Sequence, residues 1–406
     1  MTGGGSQTYI TGMGAVTALG VGVPELWRGL RSGESGVKPI VIPRTERQQI
    51  GKAAHLSPFN PADYIATDLA AATDRFVHFA IVAADEALRQ AAWPTGEPMG
   101  DRTAVIIGSG IGGSTTSDAG HHKFYVTRER TDPMTVPKVM PSAAASHIAM
   151  RYGARGPSFA VSSACSSSSQ AIGLGMMLIR SGVVDRAIVG GSEAMLTPAT
   201  FRAWETLRVM TPTLCRPFSK GRDGMVLGEG AAVFLLENEV SARRGTTPLA
   251  ELAGYGTSSD ASDIVRPDPQ GAARSMQLAL ADAHLNPDDI DYINAHGTGT
   301  ILNDVCESQS MHLVFDDSLS DILVSSTKPI HGHVLGAAGA IELVATICAL
   351  RDSIAPPTIN WQERDPRCIA DPVANVARSK KMEFALSNSF AFGGINASLI
   401  VKRFDP

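Results

Sequence analysis

Short runs of β-branched and aromatic residues alternate along this chain with alanine-rich stretches whose apolar positions recur every three or four residues. That alternation predicts strands and helices in turn, an α/β fold with helix-covered sheets. The strand candidates are TYITGMGAV, TAVIIGSG, FAVSSA, AIVGG and AAVFLLEN, then AELAGYG, DYINAHG, ILVSST, FALSNSF and ASLIVKRF. The longest helical patterns are Phe76–Ala92, Ser168–Ser181, Ala272–Leu285 and Ala337–Arg351.

The two parts of the chain echo one another. YITGMGAV resembles LAELAGYG, and SSACSSSSQAIGLGMMLIRSG follows the same plan as SSTKPIHGHVLGAAGAIELVATICAL: strand, Ser-Ser, polar residues, small-residue helix. This order predicts an internal duplication with a boundary near Arg244–Thr247, giving an N-terminal half over 1–247 and a C-terminal half over 248–406. The opening MTGGGS is the one stretch expected to lack order.

Composition narrows the class. The chain has 406 residues, 44% apolar and only 18% charged, so much of it must be buried. A net charge of −5 argues against nucleic acid as a partner. Cysteines 165, 215, 306, 348 and 368 are scattered, with no C-x-x-C pair, which favours a reducing compartment over a disulfide framework or a structural zinc site. No signal peptide or membrane-spanning run is evident. A cytoplasmic protein is expected.

Candidate chemistry gathers at strand-to-helix seams. Cys165 sits at one of them, where unpaired backbone N–H groups and the helix dipole favour thiolate, as a nucleophilic cysteine requires. The serines Ser166–Ser169 suit a helix start and are small enough to let another backbone or a substrate chain approach. His296 in NAHGTGT and His333 in STKPIHGHVLGAAG lie in glycine-flanked seams of the same kind, and two neutral imidazoles there would donate to a developing oxyanion or enolate. Lys328 and Glu342 flank the second histidine as a candidate buried pair. His331 and His333 form an H-x-H pair without an evident third ligand, so no metal is expected. NSFAFGGIN (388–396) adds a glycine-paired turn whose N–H groups would complete an oxyanion hole, with Phe390 or Phe392 placed to gate access.

With Cys165, NAHGTGT, STKPIHGHVLGAAGAIE and NSFAFGG in that order, the chain resembles the β-ketoacyl-[acyl carrier protein] synthases of type II, condensing enzymes of the thiolase fold. The likeness runs from YITGMGAVTALG to SLIVKRF and includes RYGARGPSFAVSSAC and CRPFSKGRDGMVLGEGA. It implies two duplicated halves in a five-layered α-β-α-β-α sandwich, a dimer, and an acyl carrier protein as the source of both substrates. It implies that Cys165 accepts the acyl group and that His296 and His333 support decarboxylation of malonyl carrier protein. Lys328 and Glu342 would be their supporting pair, with the N–H groups of Cys165 and Phe392 as the oxyanion hole. Phe392 would be the gate, and Ile111, Phe390 and Phe392 would border the acyl pocket. The product would be a 3-oxoacyl carrier protein and carbon dioxide, with no metal or other cofactor.

This chain departs from the family in three places. Ser166–Ser169 follow the cysteine, Ala391 stands where glycine usually precedes the gating phenylalanine, and DLAAATDR replaces a basic docking segment. Arg75, Arg128, Arg130 and Arg208 are the alternative docking cations. FRAWETLRVMTPTLCRPFS and SSDASDIVRPDPQG resemble nodulation-protein-E-like synthases and those of aryl-polyene pathways, some of which pair with a cysteine-less chain-length factor. A degradative thiolase would need a second reactive cysteine, which Cys368 in DPRCIAD matches poorly, and a chain-length factor would lack Cys165.

Overall fold

The computed structural model describes residues 7–45, 48–243 and 247–405. The opening residues 1–6 and most of the expected boundary near Arg244–Thr247 lie outside the described residues.

All ten strand candidates form strands of one sheet. In chain order they are β1 Thr8–Thr17, β2 Thr103–Gly108, β3 Ser158–Val161, β4 Arg186–Glu193 and β5 Gly230–Asn238, then β6 Ala250–Ser259, β7 Tyr292–Asn294, β8 Leu323–Ser325, β9 Phe384–Ala391 and β10 Ile395–Arg403. Their spatial order is β3-β2-β4-β5-β1-β6-β10-β9-β7-β8. Read outward from the middle, each set of five repeats the other. In each, one strand pairs in parallel with two neighbours and the remaining contacts are antiparallel. The sets meet through the short antiparallel contact of Tyr9 with Glu251 and Ile10 with Ala250.

Helices make the layers. α1 (Arg75–Gln90), started by the Asp74 side chain accepting from the Phe76 N–H, and α2 (Ala143–Tyr152) cover the outer face of the first set. Between the sets lie α3 (Ser167–Arg180) and, later in the chain, a second central helix. α4 (Pro198–Thr206) stands over the site. α5 (Pro269–Ala283) and α6 (Ile301–Phe315) cover the second set, and α7 (Ala338–Asp352) is the other central helix. α3 and α7 touch each other and strands of both sets. α7 is buried on every side from Ala338 to Leu350, and its near-continuous apolar character follows from that position.

The serine run explains how close the central elements come. Ser166 to Ser169 are all fully buried, and each hydroxyl is bonded. Ser166 Oγ donates to Ser163 O and Ile395 O, and Ser167 Oγ accepts from Ser163 N at 2.9 Å. Ser168 Oγ accepts from Ala340 N of α7 at 3.0 Å, and Ser169 Oγ meets Ser389 Oγ of β9 at 2.8 Å. Larger side chains would push the two halves apart.

Candidate active site

Cys165 lies in a 3-10 turn, Ala164–Ser166, that feeds directly into α3. The preceding Ala164 has φ 50°, a left-handed conformation unusual for a residue with a Cβ. The same device recurs before α7, where Leu335 has φ 42° and opens the 3-10 turn Leu335–Ala337. These two elbows bring the cysteine of one half against the histidine-bearing turn of the other.

His333 Nε2 is 3.1 Å from Cys165 Sγ. The His296 and His333 rings are edge-to-face with centroids 5.4 Å apart. One ligand atom from each of Cys165, His296 and His333 lies within 4.8 Å of the others. His331 joins no such group among the described residues; its Nε2 is 2.9 Å from Thr327 Oγ1. Lys328 Nζ is 3.3 Å from His296 Nδ1 and forms a fully buried ion pair with Glu342. An ammonium only donates, so His296 Nδ1 accepts and the ring proton sits on Nε2. The Phe392 backbone N–H lies on the cysteine side of its turn, where it favours the ionised sulfur.

The thiolate expected from the helix start is overridden. Burial pushes the Cys165 thiol up to about 12, although Lys328 and the Phe392 N–H pull it down. Desolvation thus outweighs the helix dipole, and the resting group is a neutral thiol. Both imidazoles are held well below their ordinary range, chiefly by burial and then by the Lys328 charge. Burial also raises the Glu342 carboxyl to about 7, with Lys328 opposing. Neutral rings donate N–H bonds, which is the state an oxyanion or enolate needs.

Three buried residues that sequence reasoning missed hold the site. Glu307 of α6 accepts from the N–H groups of His296 and Gly297, both at 2.7 Å. Asp304, one turn earlier, accepts from Phe218 N at 2.9 Å and pairs with the buried Arg222. Glu193, at the end of β4, accepts from Gly110 N at 2.6 Å and Gly336 N at 3.2 Å, so one carboxyl spans both halves. The available signal for Asp304 and Glu307 was their three-residue spacing just after NAHGTGT.

Cys165, His296 and His333 share the wall of a cavity of about 260 Å³ with Phe390, Phe392, Trp204, Met225, Thr298 and Thr300. Arg208, Val265, Ile301 and Leu302 also line it, all four being exposed, which marks the mouth. The cavity does not reach Ile111, whose N–H points to Glu193 at 3.3 Å and whose side chain is exposed in the single chain. Arg75 is not a free docking cation: its guanidinium bonds both oxygens of the buried Glu229 and lies over the Phe79 ring. Arg128, Arg130 and Arg208 are exposed.

Comparison with known proteins gives the same picture. The profile described as "Beta-ketoacyl synthase, N-terminal domain" matches residues 6–242, and "Beta-ketoacyl synthase, C-terminal domain" matches 249–362. Nodulation protein E of Rhizobium sp. (strain N33) is 41% identical over 399 residues, covering 98% of this chain and 99% of that protein. The 3-oxoacyl-[acyl-carrier-protein] synthase 2 of Staphylococcus aureus (strain COL) is 38% identical over 408 residues, with the same coverage. Among solved structures, the ishigamide ketosynthase/chain length factor superposes with a TM-score of 0.94 at 32% identity, over 99% of this chain and 100% of that one.

Proposed function

The chain belongs to the beta-ketoacyl synthase family of thiolase-fold condensing enzymes, and from that premise we propose the following division of labour in its site. Cys165 receives an acyl group from the thioester of a carrier protein, its thiol proton passing to the departing carrier sulfur while the His333 Nε2–H donates to the cysteine sulfur. Malonyl carrier protein then binds with its thioester carbonyl between the His296 and His333 N–H groups. Loss of carbon dioxide leaves an enolate held by those donors. Its carbon attacks the acyl-Cys165 carbonyl, the tetrahedral oxyanion sits on the N–H groups of Cys165 and Phe392, and the cysteine sulfur departs. The product is a 3-oxoacyl carrier protein two carbons longer.

The observation that carries this reading is the meeting of Cys165 Sγ with His333 Nε2 at 3.1 Å beside a neutral His296, on the wall of an apolar cavity open to solvent. The thiolase alternative gains nothing from Cys368, which packs in the core with Ile369 and Phe315 rather than on the cavity. The carrier protein docks over the mouth, whose rim carries exposed Leu207, Val265, Ile301 and Leu302 beside Arg208. A second subunit, either a copy of this chain or a chain-length factor, adds to the edge strand β3, where Phe159 is exposed, and closes the acyl pocket. A cytoplasmic setting suits five free, buried cysteines; no helix among the described residues is long and apolar enough to cross a membrane.

Intact-mass analysis after mixing with acyl carrier protein tests the reading. The parent gains one acyl group on the Cys165 peptide, and Cys165→Ala gains none. Acylation of Cys165→Ala on another residue defeats it.

A further inference from the structure

The turn that carries the Phe392 N–H is built around two glycines in a left-handed conformation. Gly393 and Gly394 follow it with φ of 84° and 65°, and a Cβ at Gly394 would fall 2.5 Å from Asp260 Cβ. Its backbone is tethered on the far side, where Gly393 N donates to Ile264 O and Asp260 N to Gly394 O, both at 2.8 Å. Those tethers fix the glycines and leave the Phe392 side chain to be held from elsewhere. Its ring stacks on Trp204 of α4, with centroids 5.9 Å apart and planes inclined by 15°.

Trp204 is well mounted for that task. The adjacent Phe201 is buried in the same apolar cluster as Cys165 and Ala391. The neighbouring Glu205 accepts from the N–H groups of Gln49 and Ile50, each at 2.8 Å, and from Arg202. The helix that carries the indole is therefore anchored on both sides of Trp204, by Phe201 and by Glu205, while the ring it touches belongs to a turn with two left-handed glycines.

We propose that Trp204 is a positioning residue for the condensation: its stacked ring holds Phe392 so that the Phe392 N–H stays aimed at the Cys165 sulfur and at the oxyanion that forms there. The proposal rests on the site reading above and goes beyond it by assigning a role to a residue outside the reacting groups. The same stack makes Phe392 part of a fixed wall of the cavity, so any motion of that ring must first break its contact with the indole.

The test uses the full-length protein with Trp204→Leu, which keeps an apolar side chain without a ring, and Trp204→Phe, which keeps the stack. Iodoacetamide alkylation of Cys165 is read by mass between pH 7 and 9. Loss of the aimed N–H lowers the Trp204→Leu rate about three- to tenfold at every pH, the size of one stacked aromatic pair. Trp204→Phe stays within about twofold of the parent. A merely loosened pocket exposes the thiol and raises that rate, so faster or unchanged alkylation in Trp204→Leu overturns the proposal. Acylation by an acyl carrier protein should fall in maximal rate by a similar factor, with half-saturation within about twofold of the parent. A rise in half-saturation alone would make Trp204 a substrate contact and also overturn it. If Trp204→Leu fails to fold, Phe392→Leu and the same alkylation assay replace it, with the same two outcomes. Alkylation needs no acyl substrate, so a parent that alkylates normally but never acylates sinks the functional reading and leaves this one standing.

Discussion

Lys328→Met tests how the site makes His296 a donor. In the parent, Lys328 Nζ lies 3.3 Å from His296 Nδ1 and is ion-paired with Glu342, with both side chains fully buried. Removing the ammonium has two consequences of different size. His296 loses the group that fixes its proton on Nε2, and with it one oriented donor to the enolate. Loss of one such donor slows chemistry about 10²- to 10³-fold, or about 2.7–4 kcal/mol of transition-state stabilisation. Glu342 also loses its partner in the interior, which destabilises a fold by about 3–5 kcal/mol unless the carboxyl takes up a proton. The double variant Lys328→Met/Glu342→Leu separates the two. Replacing both charges with apolar groups should recover most of the urea-unfolding stability, whereas carbon dioxide release from radiolabelled malonyl carrier protein should stay down about 10²-fold. A double variant that releases carbon dioxide within about threefold of the parent would refute the tautomer argument, because positioning of His296 would then be independent of Lys328.

Three further outcomes follow from the geometry. Because burial raises the thiol to about 12, alkylation of Cys165 should climb about tenfold per pH unit from pH 7 to 9, since the folded thiol stays protonated through that window; a plateau below pH 8 would reveal a thiolate–imidazolium pair instead. Gly339→Ala places a methyl 2.0 Å from Ser169 Oγ and 2.6 Å from Ser389 Oγ, so it should lower stability by about 1–3 kcal/mol in urea titration despite alanine's better helix propensity, and an unshifted midpoint would contradict that packing. Leu302→Glu at the cavity mouth should raise the half-saturating carrier protein concentration about tenfold with little change in maximal rate; the parent should lose little affinity with added salt, and a steep loss would point to a charged docking surface.

Much of this was legible in the chain because most strands are short runs bounded by glycine, serine or asparagine, and burial on both faces of β2, β4, β5 and β9 left those runs mostly apolar or small. Helix α6 was the exception. ILNDVCESQSMHLVF buries Asp304, Glu307, Ser308 and Ser310, so its inward face is polar and its periodicity is blurred. Those buried acids hold the NAHGTGT backbone, a task visible only once the loop and helix are packed together. Cys165, His296 and His333 announced themselves through their glycine- and serine-rich seams, yet the protonation state of Cys165 did not, because desolvation depends on the whole surrounding fold. Arg75 looked free in sequence and proved committed to Glu229, a partner far along the chain. Trp204 carried no local signal at all, since its stacking ring arrives from β9's terminal turn.

The mirrored elbows at Ala164 and Leu335 mean that the sulfur is delivered by one repeat and the imidazoles by the other. Bonds stitch that seam directly around the reacting atoms, among them His333 N to Val226 O, Gly228 N to His333 O, Ser166 to Ile395, Ser168 to Ala340, Ser169 to Ser389, and Glu193 to Gly336. Turnover therefore acts as a strain gauge between the repeats. A seam substitution should lower turnover before circular dichroism registers any loss of secondary structure.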